Sequence, residues 1–193
     1  MVEIRFMKSL LYFIILIIVC VSCHKEVSQQ EKFSAFLNTV PDLKFPFQTN
    51  SNEELQTKFG VDTTYKEFIN ESANKVYAKF TINDSIYGVV FLVAGDIVFP
   101  LLTTYNKSGK KIEELALVNI PGGSDGYNAN GTSYLVMKSN SDIKITDTVN
   151  TFERDSLEEI IETSRKTEVL IENYSVGADG KFLKKELSHE NKH

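Results

Sequence analysis

The chain is poor in the residues that supply thiol and imidazole chemistry. Among its 193 residues there are two cysteines and three histidines, and all five lie near the termini: Cys20, Cys23, His24, His189 and His193. Residues 31–187 contain neither cysteine nor histidine. A Ser-His-Asp triad, a Cys-His pair, a disulfide and a zinc site built from thiolates or imidazoles are therefore excluded there.

Tryptophan is also absent, and the formal net charge is −5 at pH 7. Proteins that capture sugars often stack the sugar ring on an aromatic side chain. The missing tryptophan therefore makes a sugar-binding function less expected, although tyrosine and phenylalanine can substitute. A mildly acidic chain without a basic patch is not expected to bind nucleic acid. Composition leaves carboxylate chemistry, lysine chemistry or binding without catalysis.

The N-terminal segment has the layout of a secretory signal. Met7-Lys8-Ser9 forms a short basic start, residues 10–19 are apolar throughout, and Cys20-Val21-Ser22-Cys23 ends the segment. The apolar run is shorter than the roughly 20 residues that a membrane-spanning helix needs. A signal is therefore favoured over an uncleaved anchor, while initiation at Met1 and at Met7 both remain open.

The ending Ser22-Cys23 resembles the lipobox of bacterial lipoproteins. The resemblance implies that residues 1–22 are a signal peptide, that Cys23 carries a thioether-linked diacylglycerol, and that its amino terminus is acylated. Inner-membrane lipoproteins usually have Asp two positions after the cysteine, whereas this chain has Lys25, so an outer-membrane location is expected. The following residues partly resemble a surface-export signal of one Gram-negative phylum, which leaves the periplasmic and cell-surface faces open. Without processing at Cys23, a soluble secreted protein would result.

The pattern of apolar residues predicts helices first and strands afterwards. Three capping-box pairs predict short helices before residue 70: Ser28/Glu31, Ser51/Glu54 and Thr64/Glu67. From residue 76 the apolar period falls to two, which indicates successive strands joined by turns. The expected fold class is α+β, with short N-terminal helices followed by a mainly antiparallel β-sheet, a meander of hairpins. Residues 155–163 fit either a helix or the end of a long hairpin, and the hairpin is favoured.

Length and composition predict one globular domain over residues 31–187. The lipidated cysteine and a polar tether, residues 23–30, precede the domain, and a polar tail, residues 188–193, follows it. Within the domain, residues 86–93 are apolar on both faces of the predicted strand. This pattern predicts a central strand that is covered on both sides.

A glycine-rich loop over residues 121–131 is the candidate ligand site. Long loops often carry function, and the polar and aromatic side chains here are Asp125, Tyr127, Asn128 and Asn130. The loop does not fit a calcium-binding loop, because Gly126 and Met137 stand where that pattern requires acids. No metal site, cofactor or catalytic residue is predicted. A flexible connector is the alternative to a ligand-contacting loop.

Four Asp-Ser or Asp-Thr pairs are followed by a small or aliphatic residue. This pattern resembles the acceptor motif of a general O-glycosylation system in the same bacterial phylum, and the resemblance implies acceptors at Thr63, Ser85, Thr148 and Ser156. Turns and helix caps also favour Asp-Ser and Asp-Thr, which is the alternative explanation. Ser85 and Ser156 fall in predicted turns and are the favoured acceptors, whereas Thr148 falls in a strand.

These observations together favour a non-enzymatic binding or accessory module of the cell envelope. Its membrane contact would be the lipid on Cys23, and its ligand an unidentified protein or glycan. An inhibitor or immunity lipoprotein that blocks an enzyme is the first alternative. A carbohydrate-capture accessory would need a surface platform of tyrosine or phenylalanine, and a carboxylate-dependent hydrolase would need two acids converging in a pocket.

Overall fold

A computed structural model describes residues 27–53, 55, 63–69, 71–94, 98–118, 129–157 and 159–192. The predicted signal peptide and Cys23 lie outside these residues. In chain order the elements are α1 (Gln29–Thr39), β1 (Phe47–Asn50), a 3₁₀ helix (Thr63–Phe68), β2 (Ala73–Asn83), β3 (Ile86–Ala94), β4 (Val98–Asn106), β5 (Lys111–Ala116), β6 (Ala129–Ser139), β7 (Asp142–Arg154), β8 (Ile160–Val176) and β9 (Phe182–Lys192).

The strands form two antiparallel sheets. Strands β2, β3, β4 and β5 make a four-stranded meander in chain order, and the second sheet has five strands in the order β1-β6-β7-β8-β9. Strands β6 to β9 are a second meander, to which β1 is added beside β6. The predicted meander of hairpins fits this arrangement.

The prediction of an α+β fold is wrong, because the described residues contain a single α-helix and are mostly strand. At the second predicted helix, Ser51 extends the pairing of β1 with β6: its N–H donates to the Ser133 carbonyl, and its hydroxyl accepts from the Ser133 N–H. Residues 56–62, where that helix would continue, lie outside the described residues. The third predicted helix is the six-residue 3₁₀ helix, a form typical of short segments.

Helix α1 confirms the first capping box. The Glu31 N–H donates to Ser28 Oγ at 3.2 Å, and the Ser28 N–H donates to Glu31 Oε2 at 2.8 Å. These two bonds occupy backbone donors that have no partner inside the helix. The hydrogen bonds from Ser28 lower the pKa of the Glu31 carboxyl. The helix then buries one face through Phe33, Phe36 and Leu37.

The four-stranded sheet is covered on both faces. On one face, residues of α1 and Phe68 of the 3₁₀ helix pack against Val89, Phe91 and Tyr105. On the other face, residues including Val90 and Leu92 pack against side chains of the five-stranded sheet: Phe47, Leu135, Met137, Ile143, Ile145 and Val176. The molecule therefore has three layers, and the predicted central strand at residues 86–93 is confirmed as β3.

Two hairpin regions settle questions that the sequence left open. Arg154 pairs with Ile160, and the Asp155 N–H donates to the Glu159 carbonyl, so the predicted hairpin at residues 155–163 is confirmed. Residues 188–192, which the sequence assigned to a polar tail, pair with β8 as the end of β9. Helix α1 begins at Gln29, inside the range predicted as a tether.

Candidate functional site

The most distinctive polar surface is the outer face of the five-stranded sheet, which points away from the four-stranded sheet. Alternation along β6 and β7 sends Leu135 and Ile145 into the core, so their neighbours Tyr134 and Thr146 face outward. No described element covers this face. The outward side chains of β6, β7 and β8 are mainly Thr, Asn, Lys and Arg.

A hydrogen-bonded cluster lies on this outer face, where β6, β7 and β8 run side by side. Asn150 is at its centre and is only 8% exposed. Its Oδ1 accepts from Thr167 Oγ1 at 2.8 Å and from Arg165 Nε at 3.2 Å, and its Nδ2 donates to Asn130 Oδ1 at 3.1 Å. We refer to Asn130, Asn150, Arg165 and Thr167 as the outer cluster.

Two aromatic rings border the same face. The guanidinium carbon of Arg165 lies 5.8 Å from the centre of the Phe152 ring, within the range of a cation–π contact. Tyr134 is 43% exposed, and its hydroxyl donates to Gln48 Oε1 at 2.9 Å. The surface thus combines ring faces with amide, hydroxyl and guanidinium groups.

The structure brings together two residues that the sequence singled out for different reasons. Asn130 of the predicted ligand loop belongs to the outer cluster, and Thr148, a predicted acceptor, faces outward on β7 two residues before Asn150. The other loop residues, Asp125, Tyr127 and Asn128, lie outside the described residues. The ligand role of the loop and the modification of Thr148 stay predictions.

The remaining predicted acceptors do not lie together. Ser85 is exposed in the β2–β3 turn, and Ser156 is exposed in the β7–β8 turn. Thr63 begins the 3₁₀ helix. Glycosylation at these positions also stays a prediction, with the turn positions of Ser85 and Ser156 matching the sequence-based expectation.

A second polar cluster lies on the opposite, inward side of β8 and β9. Lys184 forms an ion pair with Glu172, and the Tyr174 hydroxyl donates to Glu172 Oε2 at 3.0 Å. The hydrogen bond to Glu172 raises the pKa of Lys184. Burial, followed by the hydrogen bond to Glu172 and the charge of that residue, raises the pKa of Tyr174. Because these groups bind one another, the arrangement stabilises the sheet.

A cavity of about 390 Å³ opens beside the 3₁₀ helix. Its lining includes the charged residues Glu67, Glu71 and Lys111 and the aromatic residues Phe68 and Tyr105. The Tyr105 hydroxyl donates to the Phe68 carbonyl at 2.6 Å, and burial, followed by the charge of Glu114, raises the pKa of that hydroxyl. Lys111 lies 3.3 Å from Glu114. Tyr105 thus holds the 3₁₀ helix on the sheet.

The adjacent acids Glu113 and Glu114 do not form a pair of facing carboxylates. Glu113 accepts from the Phe182 N–H at the edge of the five-stranded sheet, whereas Glu114 accepts from Thr103 at 3.3 Å. The two side chains point to opposite faces of β5, as alternation in a strand requires. The chemistry of a two-carboxylate hydrolase is therefore not available to this pair.

The end of the β7–β8 hairpin exposes apolar side chains. Leu157 is 78% exposed, and Ile160 and Ile161 are also exposed. The turn is held by Asp155, whose Oδ1 accepts from the N–H groups of Leu157 and Glu159 at 2.8 and 2.9 Å. The hydrogen bonds hold the backbone of the turn, and the exposed Leu157 side chain is available to a partner.

Within the described part of the chain, no helix combines the length and the apolar character needed to cross a bilayer. Nor do the side chains of that part gather three or more potential metal ligands. Comparison with protein-family models, with curated proteins and with solved structures finds no match to the chain.

Sequence reasoning missed Asn150, Arg165, Thr167 and Phe152. The sequence contains no run of basic residues, yet basic residues that alternate along strands collect on one face of a sheet. The signal available in the sequence is the alternation itself: residues 144, 146, 148 and 150 are polar, and the apolar residues 143, 145 and 149 stand at alternate positions beside them.

Proposed function

We propose that this chain is a non-enzymatic, lipid-anchored binding or accessory module of the bacterial cell envelope, attached to the outer membrane through Cys23. The lipobox-like sequence before Cys23 supports the anchor. The outer cluster is the observation that carries the binding function, because it places a buried amide with three side-chain hydrogen bonds on an open sheet face.

Several features of the outer face support binding over a purely structural role. A structural network needs only to satisfy its own members, yet Arg165 and Asn130 are exposed while the amide between them is buried. Fixed polar groups beside accessible rings are typical of ligand sites, because their geometry is set before the ligand arrives. Tyr134 and Phe152 also provide the aromatic side chains that a carbohydrate accessory requires.

The anchor is tested by comparing the wild-type protein with Cys23→Ala in its native host. We expect the wild type in the outer-membrane fraction and the variant released from it or retained as an uncleaved precursor. The lipid anchor would be contradicted if both proteins had the mature size and stayed attached to the membrane equally well during a carbonate wash. Protease shaving of intact cells then distinguishes the cell-surface face from the periplasmic face.

The binding face is tested by site-specific photo-crosslinking in intact cells. A photoreactive residue at position 148 lies on the outer face, and the same residue at position 107, in the β4–β5 turn, is the matched control. We expect a discrete mass-shifted adduct at 148 and none at 107. Adducts at neither position, or equal adducts at both, would contradict a ligand site on the outer face.

A second candidate function, the inhibitor or immunity lipoprotein, is favoured by the β7–β8 turn. The exposed Leu157, held by Asp155, is suited to insertion into the cleft of another protein. In the same photo-crosslinking experiment, an adduct with a protein at position 157 and none at 148 would favour the inhibitor over the sheet-face binder.

A further inference from the structure

The orientation of every amide in the outer cluster follows from Arg165. A guanidinium can only donate hydrogen bonds, so the Asn150 atom that it contacts must be the oxygen. Asn150 Nδ2 must then face Asn130, and the Asn130 atom that receives it must also be an oxygen. Thr167 donates to the same Asn150 oxygen, which therefore accepts two hydrogen bonds.

This chain of bonds leaves donors toward solvent. The Asn150 oxygen has both lone pairs occupied, and the Asn130 oxygen already accepts one bond. Among the described residues, neither the Asn130 Nδ2 group nor the terminal guanidinium nitrogens of Arg165 have a hydrogen-bond partner. A ligand that meets these groups must offer acceptor oxygens, and charged oxygens give the strongest bonds of this kind.

The charge on the outer face also favours an anionic ligand. On β6, β7 and β8, alternation places four basic residues on this face: Lys138, Lys144, Arg154 and Arg165. It places two acids near the ends of these strands: Asp142 at the turn where β6 meets β7, and Glu162 close to the β7–β8 turn. The next strand, β9, is of mixed charge: register places Glu186, Glu190 and Lys192 opposite residues 173, 169 and 167 of β8. The basic groups thus occupy the middle of the sheet.

The spacing of the basic groups suits an extended ligand. Lys144 lies six residues before Asn150 on β7, which corresponds to about 20 Å along the strand. A small anion would contact only one of these positions, whereas a chain of repeating acidic units would contact both. The rings of Tyr134 and Phe152 lie along the same path and can pack against the apolar faces of sugar rings.

We infer that the outer face binds an anionic polysaccharide, with the outer cluster holding one of its acid groups. The acid group is a carboxylate or a sulfate, since both present charged acceptor oxygens to Asn130 Nδ2 and Arg165. This inference rests on the proposed function and adds to it the chemical class of the ligand.

The test is affinity electrophoresis of the full-length, detergent-solubilised protein in gels containing one polymer each. Polygalacturonate presents carboxylates, dextran sulfate presents sulfate esters, dextran is neutral, and single-stranded DNA is a polyanion without the sugar chain of a polysaccharide. We expect retardation by one or both acidic polysaccharides, decreasing as salt is added, and none by dextran. The acidic polymer that retards the protein more strongly identifies the acid group as carboxylate or sulfate.

Two variants assign the binding to the outer cluster. Asn130→Asp keeps an oxygen for Asn150 but replaces the outward NH₂ group by a charged acceptor. The affinity for the acidic polysaccharide should therefore fall about tenfold or more, as expected for the loss of a hydrogen bond to a charged group. Arg165→Gln should do the same. Lys107→Gln removes one positive charge from the exposed β4–β5 turn and should leave binding unchanged.

Each opposite result has a definite meaning. Absence of retardation by both acidic polysaccharides, or retardation that Asn130→Asp and Arg165→Gln leave intact, overturns the inference. Equal retardation by single-stranded DNA overturns the assignment to a polysaccharide. Retardation by dextran that Tyr134→Ala abolishes and Asn130→Asp does not would overturn the anionic ligand while leaving the proposed binding function in place. Unchanged urea unfolding midpoints ensure that each variant is folded.

Discussion

The two sheets of this protein differ in how much of their surface is covered. The four-stranded sheet lies between α1 with the 3₁₀ helix on one side and the five-stranded sheet on the other. The five-stranded sheet has one face in the core, and no described element covers the other. Apolar residues therefore occupy both faces of β3, whereas β7 alternates between core and polar residues. Stability is concentrated in the first sheet, and the second sheet is left with a face available for binding.

The largest expected difference between the sheets comes from removing one phenylalanine from each. Phe91 is 0% exposed and packs against Tyr105, so Phe91→Ala should lower the free energy of unfolding by about 3–5 kcal/mol. Phe152 is half-buried on the open face, and Phe152→Ala should cost less than about 1 kcal/mol. Urea unfolding measures both, and similar losses would refute the contrast between a covered and an open sheet.

A methyl group added inside the covered layer should have the next largest effect. A Cβ atom at Gly88 would lie 2.4 Å from the ring of Phe80, its partner on β2. Gly88→Ala should therefore destabilise the protein by about 1–3 kcal/mol, as expected for overpacking.

The double variant Gly88→Ala with Phe80→Leu identifies the cause of that loss. If the clash with the ring is responsible, the two substitutions should be strongly non-additive, with the alanine costing little once the ring is gone. Additive losses would show that the glycine is required for another reason.

Two tyrosine hydroxyls give a smaller, matched comparison. Tyr105 donates to the Phe68 carbonyl from a buried position, so Tyr105→Phe should cost about 1–2 kcal/mol by leaving that carbonyl without its partner. Tyr134 donates to Gln48 on the exposed face, where water can replace it, and Tyr134→Phe should change stability by less than about 0.5 kcal/mol. Equal costs in calorimetry would mean that the outer face is shielded from water.

Local patterns predicted the elements whose signals are local. The Ser28/Glu31 pair marked the start of α1, and alternation from residue 76 marked β2. Ser51/Glu54 has the same spacing as Ser28/Glu31, yet Ser51 pairs with Ser133, 82 residues further along the chain. A serine can cap a helix or accept from a strand, and only the tertiary arrangement determines which occurs.

The outer cluster could not be predicted for the same physical reason. Asn150 lies 20 residues after Asn130 and 15 residues before Arg165, and the three meet only because of the register between β6, β7 and β8. A shift of one residue in either register would send Asn150 to the core and separate the cluster. The glycine-rich loop drew attention to Asn130, whereas nothing local distinguished Asn150 or Arg165 from other strand residues.

The smallest predicted effect concerns the helix that covers the four-stranded sheet. Hydrogen bonds from Ser28 lower the pKa of Glu31 below its ordinary value of 4.5, so the folded protein binds a proton there less readily than the unfolded chain. The resulting stabilisation is complete above pH 4.5 and disappears as the pH falls through the lowered pKa. Glu31→Gln should therefore unfold slightly more easily than the wild type at pH 7, and the difference should shrink as the pH is lowered below 4.5. In a Ser28→Ala background the pH dependence of that difference should be smaller but still present, because the hydroxyl bond is lost while the backbone N–H of residue 28 still donates to Glu31. A difference that persisted unchanged at pH 3 would show that Glu31 stabilises the covering helix without its charge.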